Sequence, residues 1–169
     1  MISDNLFRPL HAFFVMEIAS RRVVHVGVTR HPTDTWVAQQ LREATPFGRH
    51  PKHLIIDNDS KYGEIFARVA QTTGSDLVRT AFRAPKQNAL CERLLGSVRR
   101  ECLDHVLVVS EAHLWRILLE YAAYFNRDRP HQGLLQRIPD PPEEAECSAG
   151  PVCGTPVLGG LHHTYQRAA

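Results

Sequence analysis

Segments with the pattern of β-strands alternate with segments of helical periodicity along most of the chain. The stretches LFRPLHAFFVMEI (6–18) and VVHVGVT (23–29) are rich in aromatic and β-branched residues and are separated by a short polar stretch. This pattern predicts two strands joined by a tight turn. The nearly continuous apolar run AFFV favours a strand covered on both faces, as occurs in the centre of a sheet flanked by helices.

The alternation continues towards the C-terminus. Thr33 or Asp34 is suited to cap a helix over 35–44 in which Trp36 packs on the sheet. A short strand then leads to Asp57, and the last long helix begins at Ser110. Strands followed by covering helices predict an α/β fold. The remaining predicted elements are a helix over 64–72, a strand over 76–81 and a helix from Asn88 to about 105.

Composition limits the possible partners only weakly. Lys and Arg number 20 and Asp and Glu number 18, so the net charge does not indicate a partner. Arginines are nevertheless concentrated at positions 93, 99 and 100 and again at 127 and 129, and such local patches attract polyanions. The alternative is that these arginines are solvated charges on helix faces.

Membrane insertion and secretion are not expected. The apolar runs are far shorter than the ~20 residues that span a bilayer. The N-terminus lacks the basic region and long apolar core of a secretory signal. The four cysteines show no close pairing. We therefore expect an intracellular, reducing environment without disulfides.

Two carboxylates occupy positions that suit a metal site. Asp57 directly follows a predicted strand, and Glu92 lies near the start of a predicted helix. Carboxylate oxygens are the ligands that Mg²⁺ and Mn²⁺ prefer. A pair of such ions, about 3.5–4 Å apart, can drive phosphodiester chemistry, and a third carboxylate usually bridges them. Spacing alone is not specific, because any chain contains many carboxylate pairs.

Three ordered motifs make the assignment more specific. They are DNDSKYG (57–63), RAPKQNALCERLLGSVRRECLDH (83–105) and YFNRDRPHQGL (124–134). Together they resemble the catalytic core of DDE transposases and retroviral-type integrases, particularly those of bacterial insertion sequences. The resemblance extends over nearly the whole chain. It implies an RNase H-like α/β fold over 1–136, with a five-stranded mixed sheet and helices on both faces. The prolines at 139, 141 and 142 predict an extended tail over 137–169, and its last stretch, VLGGLHHTYQRAA (157–169), is a candidate strand or hairpin.

The resemblance also implies a chemistry. The family hydrolyses DNA to expose a 3′-hydroxyl, which then attacks a target phosphodiester. Asp57 and Glu92 would be the second and third acidic residues, and both would be ligands of Mg²⁺ or Mn²⁺. The implied partners are transposon ends, target DNA and further copies of the chain. The implied location is the bacterial cytoplasm, in association with the nucleoid.

Four basic residues near these motifs are candidate DNA contacts by the same resemblance. Arg93 and Arg99 share the predicted helix of Glu92, Lys61 follows Asp57, and Arg129 lies in the NRDRPH motif. Each has a structural alternative: a solvated charge, a turn residue, or, for the last motif, a chain stop in which His131 packs on the core.

Other residues are interpreted structurally. Asn88 is expected to cap the helix of Glu92, and Asp59 is expected to be a turn residue. Cys91 is expected to be a small buried packing residue. The spacing of Cys147, Cys153, His162 and His163 fits no standard zinc site.

The first acidic residue of the family has no obvious counterpart. Counting back from Ser20 by the family's spacing reaches Met1 or beyond, so the first strand is expected to be missing or incomplete. Asp4 is the nearest substitute, and we interpret it as a hairpin residue. By this reasoning the chain is an N-terminally truncated core, and we predict that it is inactive or nearly inactive in strand transfer.

Three functions remain open on the sequence alone. The first is a DDE-type enzyme of DNA integration. The second is a non-catalytic remnant that binds DNA or pairs with full-length transposase. The third, an RNase H-type nuclease, is disfavoured because the Asn-Ala-x-x-Glu and RPHQGL words are typical of transposases.

Overall fold

A computed structural model describes residues 2–46, 50–80, 89–141 and 150–168. The predicted helices at 35–44 and 64–72 are confirmed to within a residue. The expected cap at Asn88 and the loop before it lie outside the described residues. The elements in chain order are β1 (Ile2–Ser3), β2 (Pro9–Met16), β3 (Val23–Thr29), α1 (Asp34–Ala44), β4 (His53–Ile56), α2 (Glu64–Thr72), β5 (Asp76–Arg79), α3 (Ala89–Glu101), α4 (Glu111–Arg127), β6 (Val152–Val157) and β7 (His162–Arg167).

The first five strands form two sheets. β2 and β3 are the predicted hairpin, antiparallel from His11 opposite Thr29 to Met16 opposite Val23, and β1 pairs antiparallel with the start of β2. β4 and β5 pair parallel in a separate sheet. Within the ranges that the structure describes, the five strands belong to two sheets and not to the single five-stranded sheet that the resemblance implies. Among the described residues, β2 beyond Leu10 has a strand partner on the β3 side only. The AFFV run is half-buried, and its two faces pack on different clusters, with Ala12 and Phe14 on the larger one and Phe13 on the smaller, as predicted for a strand covered on both faces.

Two apolar clusters hold the helices on these sheets. The larger lies between the β2–β3 hairpin and helices α3 and α4, and its centre includes the fully buried Leu114, Leu118 and Tyr121. The smaller joins α1, α2 and β4 around Phe66. Trp36 contributes to the second cluster and meets Phe13 of β2 edge-on, with ring centroids 6.0 Å apart, as predicted for the residue that packs α1 on the sheet.

The N-terminal caps of α1 and α4 are the hydroxyl residues that the sequence predicts. Thr33 accepts the N–H of Trp36 at 3.2 Å, and Ser110 accepts the N–H of His113 at 3.1 Å, so each hydroxyl pairs one of the donors left free at a helix start. The side chain of Asp34 is used elsewhere, at the start of α2. None of the helices in the described ranges is long and apolar enough to cross a membrane.

The C-terminal region forms the hairpin that was a candidate for its last stretch, and this hairpin begins earlier, at Val152. β6 and β7 form an antiparallel hairpin, with Val152 opposite Arg167 and Val157 opposite His162. The hairpin packs on α4. Glu120 of α4 accepts the N–H of Leu158 at 2.6 Å, and the His162 ring stacks on the Tyr124 ring with 4.5 Å between the ring centroids. This part of the tail therefore packs on the core.

Candidate metal and DNA site

Asp57 stands at the end of β4, where the strand leaves the sheet. Its Oδ1 accepts the N–H of Asp59 at 3.1 Å, which folds the next residues into a tight loop. Asn58 fastens this loop to the neighbouring strand by donating to the carbonyl of Thr80 at 2.7 Å. The Asp57 carboxylate is left exposed, with one oxygen free of any hydrogen bond to the described residues.

Asp59 is the turn residue that the sequence predicts. Its Oδ1 accepts the N–H of Lys61 at 3.0 Å, and its Oδ2 binds the Lys61 ammonium at 2.7 Å. These interactions with Lys61 hold the pKa of Asp59 below its usual value. The Lys61 charge is thus already engaged by Asp59, although both side chains remain about a third exposed.

Glu92 lies in the first turn of α3, next to Cys91. The Cys91 thiol interacts electrostatically with the carboxylates of both Asp57 and Glu92. Desolvation raises the pKa of the Cys91 thiol, and the charges of Asp57 and Glu92 raise it further. Both carboxylates are therefore within electrostatic reach of one sulfur atom. Cys91 is exposed, so its prediction as a buried packing residue is wrong.

A cavity of about 250 Å³ separates β2 from β4 at this point. Asp57, Tyr62 and Cys91 line it, together with Phe13 of β2 and Leu94 of α3. Tyr62 packs edge-on against Phe66, and desolvation followed by the charge of Asp57 raises the pKa of its phenol beyond the physiological range. Tyr62 therefore stays protonated and adds no negative charge to the site.

Asp57 and Asp59 are the carboxylates that line this cavity, and Glu92 follows the lining residue Cys91 in the chain. Glu92 is exposed, and no other described residue forms an ion pair or hydrogen bond with its side chain. Hard oxygen donors of this kind fit Mg²⁺ or Mn²⁺. No group of three or more His, Cys, Asp or Glu suited to a metal occurs within 2–46, 50–80, 89–141 and 150–168. Cys147, one of the four residues considered for zinc, lies outside these ranges.

Asp4 is occupied by protein donors. It lies in the turn between β1 and β2, as predicted, with its Oδ1 accepting the N–H groups of Leu6 and Arg8 at 2.9 and 3.0 Å. Its Oδ2 pairs with the guanidinium groups of Arg8 at 2.8 Å and Arg30 at 2.9 Å. Burial would raise the pKa of Asp4, but these bonds hold it far below its usual value. The geometry therefore favours a structural carboxylate over a metal ligand.

Arg129 forms the strongest side-chain contact of the NRDRPH motif. Its guanidinium binds Glu101 in a bidentate pair, with Nε–Oε2 at 2.7 Å and Nη2–Oε1 at 2.6 Å, and the Tyr121 hydroxyl donates to the same carboxylate at 2.8 Å. His131 is buried and contacts the Phe125 carbonyl at 3.1 Å, which supports the packed-histidine alternative. Arg129 joins α3 to the chain after α4.

The two arginines of α3 differ. Arg99 is three-quarters exposed and lies 3.5 Å from Asp104, whereas Arg93 forms no ion pair with a described residue. Both arginines remain candidate DNA contacts. The charge of Arg93 is the less compensated, because no acidic side chain of the described residues pairs with it.

Sequence reasoning missed three polar residues that fix the site's framework. Asp34 caps α2, Glu101 binds Arg129, and Asn126 exchanges two 2.8 Å hydrogen bonds with the backbone of Val23 at the start of β3. The motif NRDRPH marked the region of Asn126 and Arg129. Nothing local marked Asp34 or Glu101, because their partners are distant in sequence.

Comparison with known proteins shows similarity to integrase cores. Residues 73–139, which include Glu92 and the NRDRPH motif, match the family model described as integrase core domain. A chain from the cryo-EM structure of the simian T-cell lymphotropic virus intasome in complex with PP2A regulatory subunit B56 gamma superposes with a TM-score of 0.59 at 16% identity. The superposition covers 94% of this chain and 61% of that one. The RNase H-like α/β fold is thereby supported.

Sequence relatives point to a particular group within that class. The uncharacterized 39.2 kDa protein of insertion element IS476 from Xanthomonas euvesicatoria is 26% identical over 133 residues, covering 78% of this chain and 38% of the relative. The uncharacterized 31.7 kDa protein of insertion element IS407 from Burkholderia multivorans is 25% identical over the same length, covering 48% of that protein. The chain thus spans less than half the length of these relatives.

The fold and these matches confirm the resemblance predicted from the sequence. The chain is similar to integrase cores of the DDE transposase and integrase class, through the match of residues 73–139 and through its fold. Within that class, it is similar to proteins of insertion elements.

Proposed function

We propose that this chain acts in DNA integration or transposition as a metal-dependent DNA-cleaving and strand-transferring core. The observation that carries the proposal is that the exposed carboxylates of Asp57 and Glu92 both lie within electrostatic reach of Cys91, which lines the cavity together with Asp57. Asp57 and Glu92 would supply the oxygens that hold a divalent cation, and that cation would contribute Lewis-acid activation of a phosphodiester and of an attacking hydroxyl.

The protein's own residues position these oxygens. The Asp59 N–H fixes one oxygen of Asp57, and Asn58 fixes the loop against β5, so the other oxygen of Asp57 forms no hydrogen bond with a described residue. Glu92 is carried on a helix whose far end is fixed by the Glu101–Arg129 pair.

A second candidate is a non-catalytic chain that binds DNA and assembles with full-length transposase. The saturation of Asp4 by four donors favours it, because only two carboxylates then face the described site. Weak cation binding and little strand transfer are expected from two carboxylates, whereas DNA binding does not depend on them.

The test is nicking of supercoiled plasmid in the presence of Mn²⁺, with DNA binding measured on the same samples. We expect slow nicking that falls at least about tenfold in Asp57→Asn and in Glu92→Gln, the size of loss typical for weakened metal sites, while DNA binding persists. Asp76→Asn is the matched control, because its carboxylate is 75% exposed and lies at the start of β5. Nicking that is unchanged in Asp57→Asn contradicts the proposal, and DNA binding without nicking favours the second candidate.

A further inference from the structure

A second cavity, of about 410 Å³, adjoins the one that contains Asp57. Arg21 from the β2–β3 turn and Arg93 and Arg100 from α3 line it, and we call it the arginine pocket. Met16 and Leu94 line both cavities, so the two cavities are immediate neighbours at α3.

The arginine pocket carries uncompensated positive charge. Arg21 Nη1 is removed from solvent and has no hydrogen-bond partner in the part of the chain that the structure describes. Arg93 and Arg100 form no ion pair there either, whereas the neighbouring Arg22 and Arg99 pair with Glu17 and Asp104. A buried donor without a partner costs about 1–3 kcal/mol, more when charged, so the pocket is suited to an anion that would accept from it.

The guanidinium groups of α3 are brought towards each other by a glycine. Arg93 and Arg100 are separated by about 10 Å along the axis of an α-helix. A Cβ at Gly96 would lie 2.9 Å from Arg100 Nη1, so the Arg100 side chain lies over Gly96, back along the helix towards Arg93. The absent side chain therefore lets Arg100 approach the position that Arg93 occupies. Ser97, one turn after Arg93, lies on the same face and lines the pocket.

The other polar residues of the wall carry little net charge. Arg129 also lines the pocket, but Glu101 compensates its charge at 2.6 Å. Burial lowers the pKa of His131, and the charges of Arg129 and Arg21 lower it further, so this imidazole is neutral at pH 7. Gln132 and Gln136 add uncharged donors. The excess charge thus resides on Arg21, Arg93 and Arg100.

We propose that the arginine pocket binds a single phosphate of the DNA backbone, held jointly by Arg21, Arg93 and Arg100. The inference rests on the proposed function for the identity of the polyanion. Guanidinium groups bind phosphate oxygens through paired, charge-assisted hydrogen bonds. A phosphate held here is placed beside the cavity of Asp57 and Cys91, so the pocket fixes the register of the strand that reaches the carboxylates.

The test is binding of a fluorescently labelled duplex by anisotropy at several salt concentrations. Arg21→Ala, Arg93→Ala and Arg100→Ala are each expected to weaken binding about fivefold to tenfold. Because all three hold one phosphate, the losses should be strongly non-additive in the double variant Arg93→Ala/Arg100→Ala. The slope of log K against log salt should fall by about one in the triple variant.

Two controls separate this pocket from a merely basic surface. Arg116→Ala removes an exposed arginine of α4 and should leave binding within about twofold. Urea unfolding of each variant shows whether the chain remains folded. Additive losses with a slope that falls by about three would mean three separate phosphates and would overturn the proposal. Failure of the wild-type chain to bind the duplex would overturn it as well.

Mn²⁺ binding distinguishes failure of the pocket from failure of the proposed function. The triple variant is expected to bind Mn²⁺ as the wild-type chain does, because Asp57 and Glu92 are intact. Unchanged DNA binding in the triple variant, together with Mn²⁺ binding that depends on Asp57, rejects the pocket and leaves the proposed function standing.

Discussion

Replacement of Arg129 by alanine is expected to lower the free energy of unfolding by about 2–3 kcal/mol, because it leaves a partly buried carboxylate without its bidentate partner. Both side chains are only about a quarter exposed, at 24% and 26%. The Glu101 carboxylate would keep only the Tyr121 hydroxyl. Urea unfolding followed by circular dichroism measures the loss.

Arg127→Ala is the matched control for this prediction. Arg127 lies two residues away, is 72% exposed and approaches Asp140 only at 4.0 Å, so its removal should cost less than about 0.5 kcal/mol. Tyr121→Phe removes a single hydrogen bond to Glu101 and should cost about 1 kcal/mol. Equal stabilities of Arg129→Ala and Arg127→Ala would contradict the structural role of the pair.

The same pair predicts a pH dependence. Burial would raise the pKa of Glu101, but the bonds from Arg129 and Tyr121 outweigh it and lower the pKa below the usual 4.5. A carboxyl whose pKa is lower in the folded chain stabilises the fold above its unfolded pKa and loses that contribution as the pH falls through the folded value. The stability gap between wild type and Arg129→Ala should therefore narrow below about pH 4.5, and a gap that widens there would contradict the account.

Asp34→Ala is the second substitution with a large expected effect, about 2–3 kcal/mol, because it removes three charge-assisted hydrogen bonds at once. Asp34 accepts the N–H groups of Gly63 at 3.1 Å, Ile65 at 2.9 Å and Phe66 at 2.9 Å. Gly63 is the N-cap of α2 and has no side chain to pair these donors. Thermal unfolding monitored by circular dichroism measures the effect.

Asp34→Asn is the informative comparison. Its amide keeps one oxygen, which can retain the bonds to Gly63 and Phe66, so the loss should be clearly smaller than that of the alanine variant. Asp76→Ala serves as the control for removal of a surface carboxylate, since Asp76 is 75% exposed. An Asp34→Ala variant as stable as Asp76→Ala would show that α2 does not depend on this cap.

Local patterns predicted most of the secondary structure, because each element carries its own signal. The aromatic and β-branched runs predicted the β2–β3 hairpin, and the Thr33 and Ser110 hydroxyls marked the starts of α1 and α4. Their determinants lie within a few residues of one another. The hairpin at 152–167 was only partly anticipated, since its attachment through His162 and Glu120 depends on α4.

Long-range pairing explains what the sequence did not reveal. Asp34 reaches donors about thirty positions away, and Glu101 binds Arg129 across two helices, so no local pattern marks either residue. The five strands divide into two sheets through strand pairing. A local sequence pattern predicts a strand but not which other strand it pairs with. Asp57 and Glu92 were predicted as site residues from family resemblance, and that assignment stays a prediction.

Titration of Mn²⁺ by calorimetry is the most direct test of the central claim, that Asp57 and Glu92 jointly hold a divalent cation. The wild-type chain is expected to bind Mn²⁺, and Asp57→Asn and Glu92→Gln are each expected to weaken that binding at least about tenfold. Asp76→Asn should bind as the wild type does. Mn²⁺ binding that is as tight in Asp57→Asn as in the wild-type chain would contradict the claim.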